Sequence, residues 1–369
     1  MEASALMGPG FWTEDRPVLM GFSGSVPEGI PGLVYFKTSG STGEPKWIGL
    51  SREALLASAT AVNAHLHVSR GSCWVLTLPL HHVGGFGVVA RTYQAGCRME
   101  HFADKWHAEN FASWLADTGG THLSLVPTQV HDLVAAGAKA PESLKAVVVG
   151  GGRLPEHVGQ AARDLGWPVL ASYGMTEACS QIATQDLELL GQPYVTRPIN
   201  LLSCWDAATD ADVRLMISGP ALFSGTLRTH GGEWKYEERR GKWFTSSDLG
   251  KVEGRQLWIE GRADTFVKIL GELVDPVAVE NELLTIAAAA PGSAVVVAIP
   301  DKRAGFKLVL IHENLTPSSF WEEVIRRYHE SCAGYRRIAS IKGIASIPRS
   351  ELGKPQRALL SRFAEQGSI

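Results

Sequence analysis

The sequence predicts an α/β and α+β protein: a large layered α/β N-terminal domain over residues 1-263 that includes a β-rich subdomain, then a small α+β C-terminal domain over residues 264-369. Three observations lead there. Short apolar runs alternate with helical patterns through the first half of the chain, as in a sheet wound in layers. From Asp212 to Ile259 the pattern changes to shorter strands punctuated by glycine. After Gly261-Arg262-Ala263-Asp264 a compact unit of strands and helices begins, joined at Asp264.

Taken in order, Cys73 to Leu78, Leu123 to Val126, Ala146 to Val149 and Pro168 to Ala171 read as strands of the large domain. Between and around them Glu53 to His65, Asn110 to Ala116 and Gln129 to Ala136 carry helical spacing, and a further helix is expected to start near Gly84. In the small domain the pattern gives a helix near Val277 to Ala289, strands Ala294 to Ile299 and Leu308 to His312, a helix Ser319 to His329 and a last strand near Ile338 to Ile341.

With 369 residues and 45% hydrophobic content, the chain is long enough for a large core and a second domain. No apolar run approaches the roughly 18 residues that span a bilayer, and Met1-Glu2-Ala3-Ser4 lacks the basic start of a signal peptide, so a cytoplasmic location is expected. The five cysteines are scattered and without metal-type pairing, and are expected as reduced, mostly buried thiols. A net charge of -3 gives no electrostatic case for nucleic acid. The pairs Arg239-Arg240, Arg326-Arg327 and Arg336-Arg337 read as solvated faces, although one could meet the phosphates of CoA.

The segment Tyr35 to Lys46 packs hydroxyls, glycines and a lysine directly after an extended apolar run. Small residues let backbone N–H groups approach an anion, Thr38, Ser39, Ser41 and Thr42 add donors beside Gly40 and Gly43, and Lys46 adds mobile positive charge. A Walker loop needs glycine before its lysine and a hydroxyl after it, whereas Pro45 and Trp47 stand there. By itself the stretch is a phosphate cradle or a flexible turn.

Further down stand Tyr173-Gly174-Met175-Thr176-Glu177, then Thr245-Ser246-Ser247-Asp248-Leu249-Gly250, then Gly261-Arg262-Ala263-Asp264 running into Lys268 and Gly271-Glu272, and finally Gly353-Lys354. Each has a plain reading of its own: Tyr173 as core, Glu177 as a helix cap, Asp248 as a turn former. In this order, from about Tyr35 to Leu360, they resemble the core motifs of the adenylate-forming superfamily, which includes acyl-CoA synthetases.

That resemblance implies ATP, Mg²⁺ and CoA as the small molecules of the reaction. It implies that Thr38 to Lys46 hold the β- and γ-phosphates, that Glu177 ligates Mg²⁺ and that Thr176 bonds near the α-phosphate. Tyr173 with Gly174 would stack on adenine, Gly150, Gly151 and Gly152 would line its other side, and Asp248 beside Arg262 would accept the ribose hydroxyls. Lys354 matches the adenylation lysine and Asp264 the hinge of a mobile small domain, whose rotation would bring Lys268 and Gly271 in as a channel for CoA. The chain departs from the family at Ala278 and Phe306, where acidic residues are common, and in its short stretch before the phosphate loop. The short start bears on the outer sheet and on the surface a homo-oligomer would use.

If a helix starts near Gly84, then Gly84, Gly87, Val88 and Arg91 share one face, either as a pocket ending in a guanidinium or as a close-packed helix with a surface arginine. His81-His82 could suggest a metal pair, but adjacent histidines are expected to point apart. The His82 to Arg91 spacing, the run Ser124 to Gln129 and the run Tyr173 to Gln181 are similar to those of the 2-succinylbenzoate-CoA ligases of the menaquinone pathway. That likeness implies an aromatic dicarboxylic acid as substrate, with His82 bordering its pocket in a catalytic position and Arg91 facing the aromatic carboxylate. Ligation of another aryl or medium-chain acid, loading of a carrier protein, and nucleotide binding without catalysis remain as alternatives.

Overall fold

A computed structural model describes residues 3–38, 46–230, 233–289, 293–350 and 353–366. Ser39, Gly40, Ser41, Thr42 and Gly43 of the expected phosphate loop therefore lie outside the described residues.

The strands form three hydrogen-bonded sheets, the largest an eleven-stranded path. Its parallel half runs from Arg98–His101 through Cys73–Leu76, His122–Leu125 and Ala146–Val149 to Val169–Met175. Cys73–Leu76, His122–Leu125 and Ala146–Val149 are buried throughout, because helices cover both faces and no alternation with polar residues is needed. At Ser180–Thr184 the sheet turns antiparallel and continues through Ile199–Leu201, Gln256–Arg262, Phe244–Glu253, Arg214–Ser218 and Asp206–Thr209. The glycine-punctuated stretch thus extends the main sheet. Its strands Gly225–His230 and Glu233–Glu238 instead join a second sheet, beside Lys46–Leu50, Val34–Thr38 and Val18–Met20.

Local chemistry sets the helix ends. Arg52–His65 begins at Ser51, whose hydroxyl accepts the Ala54 N–H at 3.1 Å, with Glu53 in the first turn where the helix dipole favours an anion. Val83–Ala95 stops at Gly96, which takes the left-handed conformation at φ +60. The buried Arg52 guanidinium donates to Gly32 O at 2.9 Å and Arg16 O at 3.1 Å, and so ties the first residues to this helix.

The small domain centres on Gly305–Glu313, antiparallel to Ala294–Asp301 and parallel to Ile338–Ile344. The helices Pro276–Ala287 and Ser318–Ser331 pack on one face and Arg357–Gln366 on the other. Its buried clusters draw on residues after Val267, while those of the large domain draw on residues before Ile259. The sequence pattern does not reveal the hairpin Val267–Ile269/Glu272–Val274, whose three-residue strands are fixed by pairing with Gly305. Among the described residues no helix is long and apolar enough to cross a membrane. The five thiols are free, but only Cys73 and Cys179 are fully buried, fewer than composition suggests.

Candidate active site

Lys46 and Glu177, 131 positions apart, meet through a 2.9 Å contact from Nζ to Oε1. Thr38 pairs with Lys46 across adjacent antiparallel strands and its hydroxyl donates to Lys46 O at 3.3 Å, so both ends of the phosphate loop are fixed. Glu177 sits in the short turn Thr176–Ala178, held from behind by the Phe223 N–H on its carbonyl at 2.9 Å. Cys179 and Ser180 follow with φ of +52 and +94, a left-handed pair rare outside glycine. Ser58 Oγ donates to Cys179 O at 3.2 Å and helps hold this bend. A lone carboxylate suits Mg²⁺, which takes most of its ligands from phosphates and water. Glu177 fits that ion, with the Lys46 ammonium as its present counter-charge.

Tyr173, Asp248, Arg262 and Asp264 form a chain of polar contacts. The Tyr173 hydroxyl donates to Asp248 Oδ2 at 2.6 Å, Arg262 Nη1 approaches Asp248 Oδ1 at 3.4 Å, and Arg262 donates to both Asp264 oxygens at 2.9 and 2.7 Å. Asp248 is almost wholly buried, and burial raises its pKa against the pull of Tyr173 and Arg262. Asp264 is held below the ordinary carboxylate range, first by its hydrogen bond from Arg262. Tyr173 also packs on the main core, as the plain reading of that residue expects. Gly174 is obligatory here. A β-carbon on it would lie 1.5 Å from Ser180 O, where the strand pair bulges.

Lys354 reaches this site from the small domain. Its Cε lies 3.8 Å from where a β-carbon on Gly151 would stand, and Gly353, at φ +73, sits against Thr128. Within the three-glycine turn Gly150, Gly151, Gly152, Gly150 donates to Leu125 O at 3.1 Å and Gly151 takes the left-handed φ of +78. Lys354 is exposed as a whole residue, yet the large domain crowds its amino end. That enclosure, with repulsion from Arg262 and against attraction by Asp248, holds its pKa below the ordinary 10.5.

Arg91 lies in the helix Val83–Ala95 with 2% exposure, which removes the reading of it as a surface arginine. Its side chain runs back toward the helix start, as helical side chains do, and crosses Gly87. A β-carbon on Gly87 would stand 3.2 Å from Arg91 Nη2 and 3.7 Å from Ser180 Cβ. Nη1 donates to Ser124 Oγ at 3.2 Å and the guanidinium lies 5.1 Å from the Trp74 ring centre. Burial alone lowers its pKa to about 9, and among the described residues no carboxylate pairs with it. Gly85 plays the packing role instead, since a β-carbon there would meet Pro79 O at 2.4 Å. His82 caps the helix, and its ring centre lies 4.4 Å from that of His81. The two rings are thus in contact, tilted by 46°, and do not point apart as expected.

Lys268 and Gly271 are not brought to the site. They lie on an exposed hairpin whose Leu270 and Leu273 are 61% and 63% exposed, and a β-carbon on Gly271 would have nothing within 4 Å. Sequence reading missed Trp74 as the platform for Arg91 and Ser124 as its polar partner. Neither carries a local signal, since an apolar strand residue and a strand serine become partners only when the sheet forms.

A family model described as AMP-binding enzyme matches residues 33–227. The chain is 28% identical over 344 residues to a 2-succinylbenzoate–CoA ligase of Enterococcus faecalis, covering 89% of this chain and 68% of that protein. It is 30% identical over 302 residues to that of Escherichia coli, covering 79% and 62%. Among solved structures, an o-succinylbenzoate CoA synthetase (MenE) from Bacillus subtilis in complex with the acyl-adenylate OSB-AMP matches with a TM-score of 0.75 at 24% identity, over 88% of this chain and 68% of that one. MenE from Escherichia coli with bound OSB-AMS matches with a TM-score of 0.71 at 25% identity, over 89% and 68%. The chain thus spans about two thirds of the length of these relatives. With more than half of its residues matched by the family model, the chain belongs to the AMP-binding enzyme family.

Proposed function

We propose that this chain adenylates 2-succinylbenzoate with ATP and passes the acyl group to CoA, releasing pyrophosphate and then AMP. The observation that carries the substrate class is Arg91. A fully buried guanidinium with no anionic partner among the described residues is costly, and a substrate carboxylate would offset that cost with a bidentate contact at the end of the glycine-lined face. Similarity to ligases named for this acid supports the same reading.

In the first half-reaction a carboxylate oxygen of the acid attacks the α-phosphorus and the bond to pyrophosphate breaks. Lys354 stands at Gly151 with its ammonium toward Asp248 and Arg262, and from there neutralises charge on the acid and the α-phosphate. Asp248, oriented by Tyr173, accepts the ribose hydroxyls. Glu177 would hold Mg²⁺, which would offset charge on the phosphates, Lys46 and the phosphate loop would hold the β- and γ-phosphates, and Thr176 would bond near the α-phosphate. In the second half-reaction the CoA sulfur attacks the acyl carbon and AMP leaves. For this residues 264-369 rotate on residues 1-263 about Asp264, withdrawing Lys354 and presenting the hairpin of Lys268 and Gly271 as the thiol channel.

ATP-pyrophosphate exchange across a panel of acids, with and without CoA, tests the proposal. 2-Succinylbenzoate is expected to support exchange and, with CoA, thioester formation. Release of ADP in place of AMP would remove the adenylate route, and exchange with other acids alone would remove the substrate.

A further inference from the structure

We propose that Glu280 and Arg357 form a positioning pair for Lys354, an assignment that rests on the adenylating role proposed above for that lysine. Arg357 opens the helix Arg357–Gln366, three residues after Lys354. Its Nη1 and Nη2 donate to Glu280 Oε2 and Oε1, both at 2.8 Å, a fork-to-fork contact that fixes direction as well as distance. Glu280, 6% exposed on the helix Pro276–Ala287, also accepts the Val296 N–H at 2.8 Å, and Arg357 Nη1 donates to Val296 O at 2.9 Å. One half-buried node, with Glu280 on its inner side, therefore joins the segment after Lys354 to a helix and a strand of the small-domain core.

Little slack separates this node from the lysine. Pro355 pairs with Arg349 in an isolated bridge, and Gln356 bonds Pro348 O through its N–H at 2.8 Å and Arg349 O through Nε2 at 2.9 Å. Across the turn the Ser350 N–H donates to Lys354 O at 2.8 Å and the Lys354 N–H donates to Ser350 Oγ at 3.2 Å. Lysine brings four rotatable stem bonds to the site, so its aim depends on where its backbone is held. A buried ion pair is a weak means of gaining stability, since an apolar pair of like volume does as well. What the bidentate pair supplies is a fixed angle for the chain that carries Lys354.

The test measures both half-reactions in the whole chain for Arg357→Lys, Glu280→Gln, Lys354→Ala and the double variant Lys354→Ala/Arg357→Lys. Adenylation is followed by ATP-pyrophosphate exchange, and thioester formation from supplied 2-succinylbenzoyl-adenylate and CoA. Arg357→Lys is expected to lower the exchange kcat by about 10- to 100-fold, the scale of a misplacement of about 1 Å. The KM values for ATP and acid, and the thioester rate, should stay within about twofold of wild type. Glu280→Gln should show the same pattern in milder form, and the double variant should be no slower than Lys354→Ala. Equal losses in both half-reactions, or further loss in the double variant, would overturn the positioning role. Wild-type protein that exchanges with no acid of the panel would overturn the proposed function itself.

Discussion

Tyr173 donates its hydroxyl hydrogen to Asp248 Oδ2 across 2.6 Å, linking the strand that precedes the Thr176–Glu177 turn to the strand that leads toward the small domain. Burial raises the pKa of both groups; it keeps the Tyr173 hydroxyl protonated, whereas the Asp248 carboxylate depends on Tyr173 and Arg262 to offset it. Tyr173→Phe would leave the Asp248 carboxylate short of a donor. It should cost about 1.5–3 kcal/mol of stability, typical for a hydrogen bond to a charged group. AMP affinity should weaken in the same variant, as read by calorimetry, while the KM for the acid changes little.

Arg91→Ala should raise the KM for 2-succinylbenzoate by about 100-fold or more and leave that for ATP nearly unchanged, because a buried carboxylate would lose its partner. Arg91→Met keeps the volume and removes a buried charge that no carboxylate among the described residues pairs with. Its thermal unfolding midpoint should be no lower than that of wild type, although its acid KM rises as strongly. Wild-type kinetics in either variant would end the assignment of this pocket.

The glycines at positions 87 and 174 should respond differently. A β-carbon at Gly87 needs the Arg91 guanidinium to yield by a few tenths of an ångström, so Gly87→Ala should raise the acid KM with little effect on stability. At Gly174 the obstacle is the backbone carbonyl of Ser180 at 1.5 Å, and Gly174→Ala should destabilise by about 3 kcal/mol or more, as overpacking does. Urea denaturation beside acid titrations separates the two.

Lys354→Ala should abolish adenylation and still convert supplied acyl-adenylate and CoA to thioester, while Gly271→Leu should do the reverse. Gly271 has open space about it but φ of +89, so the leucine variant is strained by its backbone and its folding must be checked by unfolding midpoint. Equal damage to both half-reactions in correctly folded variants would rule out one site used in two domain arrangements.

His122 should make the fold acid-sensitive. It is fully buried against Leu66 O and Thr121, and burial lowers its pKa from 6.5 to about 4. Protonation thus favours the unfolded chain. The stability tied to neutral His122 is complete above pH 6.5 and is lost as the pH falls through about 4, a change of about 3 kcal/mol at 1.36 kcal/mol per pKa unit. His122→Asn should flatten this part of the stability–pH curve.

The sequence by itself determined the layered α/β class and the ordered motifs, because these depend on local periodicity, turn chemistry and fixed spacing. Lys46, Glu177, Asp248 and Lys354 are singled out by the order and joint presence of their motifs and by the family resemblance these carry, since Glu177 and Asp248 each have a plain reading when taken alone. Only the tertiary structure decided that Lys46 meets Glu177, that Arg91 is buried over Trp74 beside Ser124, and that Arg357 grips Glu280. Those pairs lie from 33 to 131 positions apart where hydrogen bonds join them. The main sheet runs on into the glycine-punctuated strands for the same reason: strand pairing is settled by long-range contacts and burial, which no window of sequence contains.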